Sequence, residues 1–310
     1  MSLFVPSSPT QSSSQANVKF EATTKNITTL SNLLASITPI NHQCLLIIKP
    51  EGLTFYTVYN HLINILLIID LSLFKVYNLT GDHLELQVDI NLISQAFQSI
   101  NDNNTTCFIR YNGMGYPLTI EFDNHLLLEK LEFFTFVQEI FIDDNLSINY
   151  SNIEFELIIK SDLLYLLLVD LLKIGTIDLN LLTAKSKNNQ LFFISRSNIG
   201  LVKLIYPSQL IEKLTCSDNS PISQTYKFAN FIKILPAIKI SSKCKLLKDN
   251  QGVLCIQLLC NGNLITFNIL EQLVDSSLKF DDDDLYNYIK TYEQEPQVEK
   301  VRHIQLPMFL

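Results

Sequence analysis

The side chains best suited to chemistry in this sequence are carboxylates in two segments that alternate apolar and polar residues. Asp82, Glu85 and Asp89 lie in one segment, and Glu121 and Asp123 lie in the other. Carboxylates that converge on two metal ions roughly 3.5–4 Å apart would support phosphodiester hydrolysis. These five match no nuclease motif, and solvent-facing strand carboxylates are the simpler interpretation. With no phosphate-binding Gly-rich loop and no GxSxG motif among its 8 glycines, the sequence predicts a protein that is not an enzyme.

Cysteine and histidine give no better candidate for a metal site. The six cysteines stand at positions 44, 107, 216, 244, 255 and 260 and form no CxxC pair. Residues five apart in a strand, such as Cys255 and Cys260, point to opposite faces. Buried free thiols are therefore the expectation, and no zinc site or disulfide is predicted. The histidines, which also lack ligand spacing, are His42, His61, His83, His125 and His303. No metal and no cofactor is expected.

The composition is that of a folded protein with a large core. The chain has 310 residues, of which 47% are hydrophobic and 17% are charged, so two domains of ordinary size are possible. The longest apolar stretch, Leu62–Phe74, is interrupted by Asn64 and Asp70. It is too short to span a bilayer, so no membrane association is predicted.

Charge is distributed unevenly along the chain, whose net charge is −8. Residues 1–140 carry 6 basic and 12 acidic side chains, a net charge of −6. Residues 141–270 carry 13 and 10, a net charge of +3, and residues 271–310 carry 4 and 9, a net charge of −5. The second half is therefore the basic part of an acidic protein.

The sequence repeats one pattern of strands and helices. Phe20 opens a strand-like run followed by helical spacing, and Phe155, 135 residues later, opens another. Val88 and Tyr226, 138 residues apart, each precede a second amphipathic stretch, a strand and a turn. Two nearly equal offsets indicate a duplicated unit with two helices in each copy.

Apolar spacing and turn residues give the boundaries of the elements. The predicted helices are Lys25–Ile37, Asn91–Ile100, Ser161–Lys173 and Ala229–Ile240. Ser161 is a suitable N-cap and Gly175 suits the C′ position, while Pro236 should bend or shorten the last helix. The strands predicted after the opening run of each unit are Gln43–Ile48, Leu53–Val58, Leu62–Val76 with a helical interruption near Asp70, His83–Asp89, Thr106–Tyr111, Leu118–Phe122, Leu128–Phe136, Ile177–Leu182, Leu191–Ser195, Gly200–Ile205, Gln224–Phe228, Lys243–Leu247 and Val253–Leu259.

These elements suggest two domains with polar segments around and between them. The expected divisions are a leader over 1–17, a first domain over 18–138, a linker over 139–152, a second domain over 153–270 and an acidic tail over 271–310. The tail opens its acidic part at Asp281-Asp282-Asp283-Asp284 and closes on Leu306-Pro307-Met308-Phe309-Leu310. Four adjacent aspartates are more typical of a solvated tail than of a metal site. The apolar end is compatible with a docking peptide.

Two units of many strands and two helices resemble the sliding-clamp (PCNA-like) fold, an α+β fold in which two helices per unit pack on antiparallel sheets. The segment 111–118, Tyr-Asn-Gly-Met-Gly-Tyr-Pro-Leu, resembles a segment of the Rad-one type subunit of the DNA-damage checkpoint clamp, called Rad-seventeen type in budding yeast. The segments 160–164 and 248–254 agree with this. The resemblance covers roughly residues 18–270 and lies in the order and spacing of these segments rather than in one motif.

The resemblance implies a non-catalytic subunit of a heterotrimeric clamp from a yeast-like organism. A clamp loader would place this clamp, in the nucleus, on double-stranded DNA with single-strand junctions. Its partners would be two other clamp-fold subunits, and the loaded ring would activate the checkpoint and recruit repair factors. Helices would line the hole, where diffuse contacts to phosphates permit sliding. The lysines expected to contact DNA are Lys160, Lys173, Lys227, Lys233, Lys239 and Lys243. The first-unit helices offer only Lys25, so we expect weak, salt-sensitive DNA affinity.

Ring closure in this fold pairs an edge strand of one subunit with an edge strand of the next. By resemblance, the edges lie near 129–136 and 200–206. The apolar residues expected at the subunit interfaces are Leu131, Phe133, Phe134, Phe136, Leu201, Val202, Leu204 and Ile205. The alternative for these strands is that they belong to the core of the chain itself.

Two other functions fit parts of the sequence. One is a 3'-5' DNA exonuclease, since checkpoint clamp subunits of this type are sometimes described as exonucleases. The other is a clamp-fold adaptor that does not itself contact DNA. Subunit order, loader contacts and phosphorylation sites do not follow from the residues.

Overall fold

The structure, a computed structural model, describes residues 18–100, 104–124, 126, 129–135, 146–184, 190–198, 200–217 and 222–272. The expected leader over 1–17, the linker residues 139–145 and the tail beyond Gln272 lie outside the described residues. Across the described ranges, no helix is long and apolar enough to cross a membrane.

The first half contains nine strands and two helices among its described residues. They are β1 (Phe20–Thr24), α1 (Ile27–Ile37), β2 (Gln43–Lys49), β3 (Gly52–Tyr59), β4 (Ile63–Asp70), β5 (Val76–Leu79), β6 (Leu84–Asp89), α2 (Ile90–Gln98), β7 (Thr106–Tyr111), β8 (Leu118–Asn124) and β9 (Glu129–Thr135). A short 3-10 turn, Leu71–Leu73, separates β4 from β5, where the sequence predicted a helical interruption.

The second half repeats this order. Its elements are β10 (Ile153–Lys160), α3 (Ser161–Lys173), β11 (Thr176–Ala184), β12 (Gln190–Ser197), β13 (Gly200–Tyr206), β14 (Ile211–Cys216), β15 (Ile222–Lys227), α4 (Phe228–Ile240), β16 (Lys243–Asp249), β17 (Val253–Cys260) and β18 (Asn263–Leu270). Even the 3-10 turn recurs, at Ser208–Leu210 between β13 and β14. The predicted duplication is confirmed.

Strand pairing repeats as well. The first half forms a five-stranded sheet, β5-β1-β7-β8-β9, and a row β4-β3-β2-β6. In the second half, the row β14-β10-β16-β17-β18 corresponds to the five-stranded sheet of the first half. The four-stranded sheet β13-β12-β11-β15 corresponds to the first-half row β4-β3-β2-β6. β18 pairs with β4, which joins one row from each half into a nine-stranded sheet. The halves therefore share a continuous sheet.

The helices begin where strands end. Asp89 closes β6 and caps α2, accepting hydrogen bonds from the backbone N–H groups of Asn91 and Leu92. The prediction that Ser161 caps α3 is wrong: β10 stays paired through Lys160, so Lys160 is the cap and Ser161 is the first helical residue. Gly175 follows α3 with φ +69°, as predicted for a C′ glycine.

Pro236 does not shorten α4. The helix runs unbroken for 13 residues with Pro236 inside it. Phe228, Phe231, Ile234 and Ile238 of this helix are buried, which suggests that packing maintains a helix that proline would otherwise disfavour.

One core extends through both halves, between the helices and the sheets. All six cysteines are buried and free, which confirms that expectation. Burial raises the pKa of the Cys255 and Cys260 thiols to about 12. These thiols are therefore protonated at neutral pH and act as small apolar side chains.

Candidate nucleic-acid and subunit interfaces

The four helices form a row, with α2 on α1, α1 on α4 and α4 on α3. Strand register shows that α3 and α4 are antiparallel. Asp178, just after α3, pairs with Lys227, just before α4, while Lys160, just before α3, pairs with Lys243, just after α4. The α1–α4 contact joins the halves on the helix side, as the β18–β4 pair does within the sheet.

This arrangement sorts the predicted DNA-contacting lysines by position. One end of the α3–α4 pair carries Lys160, Lys239 and Lys243. The other end carries Lys173 and Lys227. The structure thus brings five of the six residues into two groups rather than one continuous patch.

Some of these lysines already have partners. The Lys173 ammonium lies 2.9 Å from the Asp170 carboxylate, and the Lys243 ammonium lies 2.7 Å from that of Glu212. Both lysine side chains are more than half exposed, and exposed ion pairs contribute little to stability, so these lysines can exchange partners. Within the described ranges, Lys160, Lys227 and Lys239 form no ion pair.

Lys233, in the middle of α4, makes contacts that the sequence did not predict. Its ammonium lies 4.0 Å from the centroid of the Tyr59 ring and donates a hydrogen bond of 3.3 Å to the Pro39 carbonyl oxygen. Both partners belong to the first half, so Lys233 links the two halves. The sequence could not reveal this role, because Tyr59 is distant in the chain and nothing in its neighbourhood points to Lys233.

The link can be measured with a double-mutant cycle on the free energy of unfolding in urea. Tyr59→Leu removes the ring, and Lys233→Met removes the ammonium while keeping most of the side-chain stem. We expect a coupling energy of about 0.5–1 kcal/mol between them, the usual strength of an exposed cation–π pair.

Lys239→Met combined with Tyr59→Leu is the matched control, and it should be additive. Additivity of the Lys233 pair as well would show that Lys233 does not link the halves.

The helices of the first half have no basic side chains that could bind DNA phosphates. Neither α1 nor α2 contains a charged residue, and their exposed positions include Thr28, Asn32, Leu92 and Gln95. Lys25, just before α1, is exposed. The asymmetry predicted from net charge therefore recurs on the helix faces.

β9 is one edge of the five-stranded sheet and carries exposed apolar side chains. Leu131 is 42% exposed and Phe134 is 57% exposed. Phe133 is half-buried and packs edge-on against Phe122, with 5.8 Å between ring centroids. Phe133 thus belongs partly to the chain's own core, the alternative raised from the sequence, while Phe136 lies outside the described residues.

β13 is an edge of the four-stranded sheet. Leu201 is 50% exposed, while Val202, Leu204 and Ile205 are half-buried. Leu204 packs against the core, so this edge is also shared between the core and the surface.

The duplication shows how such edges can be covered. β9 is the first-half counterpart of β18, and β13 is the second-half counterpart of β4, and β18 and β4 pair with each other. Leu131, paired with Phe122, occupies the place of Ile265, paired with Leu258. Ile265 is 0% exposed, as is Ile65 on β4. Leu131 is therefore exposed because its strand lacks the neighbour that β18 has.

Two of the five carboxylates considered for catalysis have structural roles in the fold. Asp89 caps α2, and Glu121 joins a ladder of ion pairs across the five-stranded sheet. The ladder consists of Glu21, Arg110, Glu121, Lys130 and Glu132. Hydrogen bonds to Glu132 and Glu121 raise the pKa of Lys130. Among the residues described, no group of three or more His, Cys, Asp or Glu side chains is placed to hold a metal ion.

Solved structures with the same architecture are sliding clamps. The proliferating cellular nuclear antigen of Entamoeba histolytica matches with a TM-score of 0.70 and 11% identity, over 83% of this chain and 100% of that one. The PCNA2–PCNA3 complex of Sulfolobus tokodaii matches with a TM-score of 0.69 and 11% identity, over 81% of this chain and 99% of that one. The fold is therefore the PCNA-like clamp fold.

Sequence relatives come from yeasts. The chain is 31% identical over 261 residues to the DNA damage checkpoint control protein RAD17 of Saccharomyces cerevisiae, covering 78% of this chain and 65% of that protein. It is 28% identical over 283 residues to the protein of the same name in Eremothecium gossypii, covering 85% of this chain and 73% of that protein. The chain thus spans about two thirds of the length of its Saccharomyces relative.

A family profile described as repair protein Rad1/Rec1/Rad17 matches residues 19–260, which include almost all of the described fold. The chain belongs to the Rad1/Rec1/Rad17 family of repair proteins.

Proposed function

We propose that this chain is a non-catalytic subunit of a heterotrimeric checkpoint sliding clamp that encircles DNA at sites of damage. The observation that carries the proposal is the pair of uncovered strands, β9 and β13, whose counterparts β18 and β4 pair inside the chain. A neighbouring clamp-fold chain on each side would repeat the internal junction between chains. The checkpoint names of the yeast relatives support the biological setting, a nuclear role at damaged DNA.

The two different strand edges support a ring rather than a two-fold dimer. β9 and β13 differ in sequence and lie in different sheets, so contacts through them are head-to-tail rather than two-fold symmetric. Head-to-tail contacts generate a closed ring when the rotation from one subunit to the next closes. Three two-domain subunits would place a continuous row of helices around the hole.

Contact with DNA in this proposal is diffuse. The lysines at both ends of α3–α4 would attract a DNA backbone, whereas helices α1 and α2 carry no charge. This subunit would therefore contact DNA mainly through its second half. Contacts limited to phosphates permit sliding and weaken as salt increases. A clamp loader would then be needed to place the ring, and checkpoint and repair factors would bind it once loaded.

A second candidate, the clamp-fold adaptor that does not touch DNA, draws support from those same uncharged helices. Charge reversal of the second-half lysines, argued in the Discussion, separates the two candidates.

The assembly is tested by native mass spectrometry of the tagged chain purified from its own cells. The expected result is a complex with one copy each of this chain and two different clamp-fold chains. A monomer, or an oligomer of this chain alone, would contradict the proposal.

A further inference from the structure

The described chain ends beside the lysines of the α3–α4 pair. The backbone N–H of Gln272 donates a hydrogen bond of 3.0 Å to the carbonyl oxygen of Thr225 in the edge strand β15. Thr225 lies two residues before Lys227, the cap of α4, which is about 7 Å along a strand. The residues that follow Gln272 therefore start at the Lys173–Lys227 end of the helix pair.

The segment that starts there is strongly acidic. Residues 273–284 contain Asp275 and the run Asp281–Asp284 against a single base, Lys279, a net charge of −4. Lys160, Lys227 and Lys239 are exposed and form no ion pair with any described residue. An acidic segment thus begins, in space, near the helix pair that carries lysines without carboxylate partners.

The distances allow them to meet. Asp281 is nine residues beyond Gln272, which an extended chain spans with a reach of about 30 Å. Lys227 and Lys239 bracket α4 and are about 18 Å apart along its axis, at 1.5 Å per residue. The run can therefore reach the lysines at either end of the helix pair.

We propose that Asp281–Asp284 binds within the same chain to Lys227, Lys239 and Lys160. The acidic run would occupy the positions of DNA phosphates and would yield them when a duplex enters the ring. The charges and distances of the residues described above support the contact itself, whereas its competition with DNA rests on the proposed function.

The contact is tested on the full chain with a water-soluble carbodiimide, which joins a carboxylate to an amine only where the two touch. Peptide mass spectrometry of the monomeric product should show Asp281–Asp284 joined to Lys227, Lys239 or Lys160. These products should be at least about five-fold more abundant than products with Lys49 or Lys75, and they should disappear at high salt because the contact is electrostatic. Equal coupling to Lys49 and Lys75, or coupling only between two chains, would overturn the proposal.

Competition is tested by fluorescence anisotropy with a labelled duplex. A variant with all four aspartates changed to Asn is compared with Glu293→Gln/Glu295→Gln/Glu299→Gln, which neutralises charge farther along the same tail. The Asn variant should bind about ten-fold more tightly than the wild type at low salt, and the Gln variant should change little. Equal effects of the two variants would refute competition. If no variant bound duplex, the proposed DNA contact would fail, and the coupling result alone would decide the tail contact.

Discussion

Leu131→Asp should abolish binding to one neighbour in the clamp and leave binding to the other intact. Leu131 is 42% exposed on β9, whereas its counterpart Ile265 is completely buried where β18 meets β4. If a neighbour covers β9 in the same way, the substitution places an unpaired carboxylate inside the interface. We expect a loss of about 3 kcal/mol or more, equivalent to at least roughly 100-fold weaker binding.

The measurement is made on pairs of chains, because a ring with one broken junction stays connected through its other two. Each partner is co-expressed alone with the variant, and the binary dissociation constants are compared. The full set of three chains should still co-purify, as an open chain that is no longer retained on closed circular DNA. Val202→Asp on β13 should have the reciprocal effect and abolish binding to the other neighbour.

Leu259→Asp is the matched control. Leu259 is 45% exposed on β17, an inner strand of the nine-stranded sheet that carries no free edge. The Leu259→Asp variant should bind both partners normally. Exposed substitutions of this kind usually change the free energy of folding by no more than about 0.5 kcal/mol. Normal pairing of a correctly folded Leu131→Asp variant with both partners would show that β9 is not an interface.

The features of the fold that the sequence predicted are those set by local pattern. The internal offset between Phe20 and Phe155 indicated the duplication, and apolar spacing located four helices to within a few residues. Gly175 was predictable because a helix end that needs φ > 0 selects glycine. Each of these signals lies within one short segment or in the comparison of two such segments.

The features that the sequence did not predict depend on distant neighbours. β18 is not among the predicted strands, and it lies between β17 and β4, a strand of the other half. β14, a short edge strand paired only with β10, was missed as well. The cap of α3 was misassigned because cross-strand pairing with Lys243 holds Lys160 extended up to the helix.

The residues of the candidate site also divide into those that local pattern predicts and those that depend on distant neighbours. Lysines near α3 and α4 could be selected from charge and helical position, yet their partners could not. The contacts of Lys233 with Tyr59 and Pro39, across the junction between the halves, could not be predicted, whereas its predicted contact with DNA stays a prediction. The apolar residues of β9 and β13 were chosen by resemblance, and only strand pairing shows that both strands are free edges.

Lys160→Glu/Lys227→Glu/Lys239→Glu should greatly weaken DNA binding by the assembled clamp. These three lysines are exposed, lie at both ends of the α3–α4 pair and form no ion pair among the described residues. Each phosphate contact contributes about 0.9 to the slope of log K against log salt on duplex DNA. Losing three contacts should reduce that slope by about 2.7 and lower affinity at least roughly 100-fold at low salt.

The control must change net charge equally, because a more acidic protein is repelled by DNA wherever its charges lie. Lys19→Glu/Lys49→Glu/Lys75→Glu does so with three exposed lysines of the first half, none of them on a helix. Both triple variants should form the complete ring, since none of the six lysines lies on β9 or β13. A local contact predicts a changed salt slope for the helix-pair variant alone, whereas general repulsion predicts similar losses for both. Normal loading of the helix-pair variant would instead favour the adaptor, a subunit that closes the ring without touching the duplex.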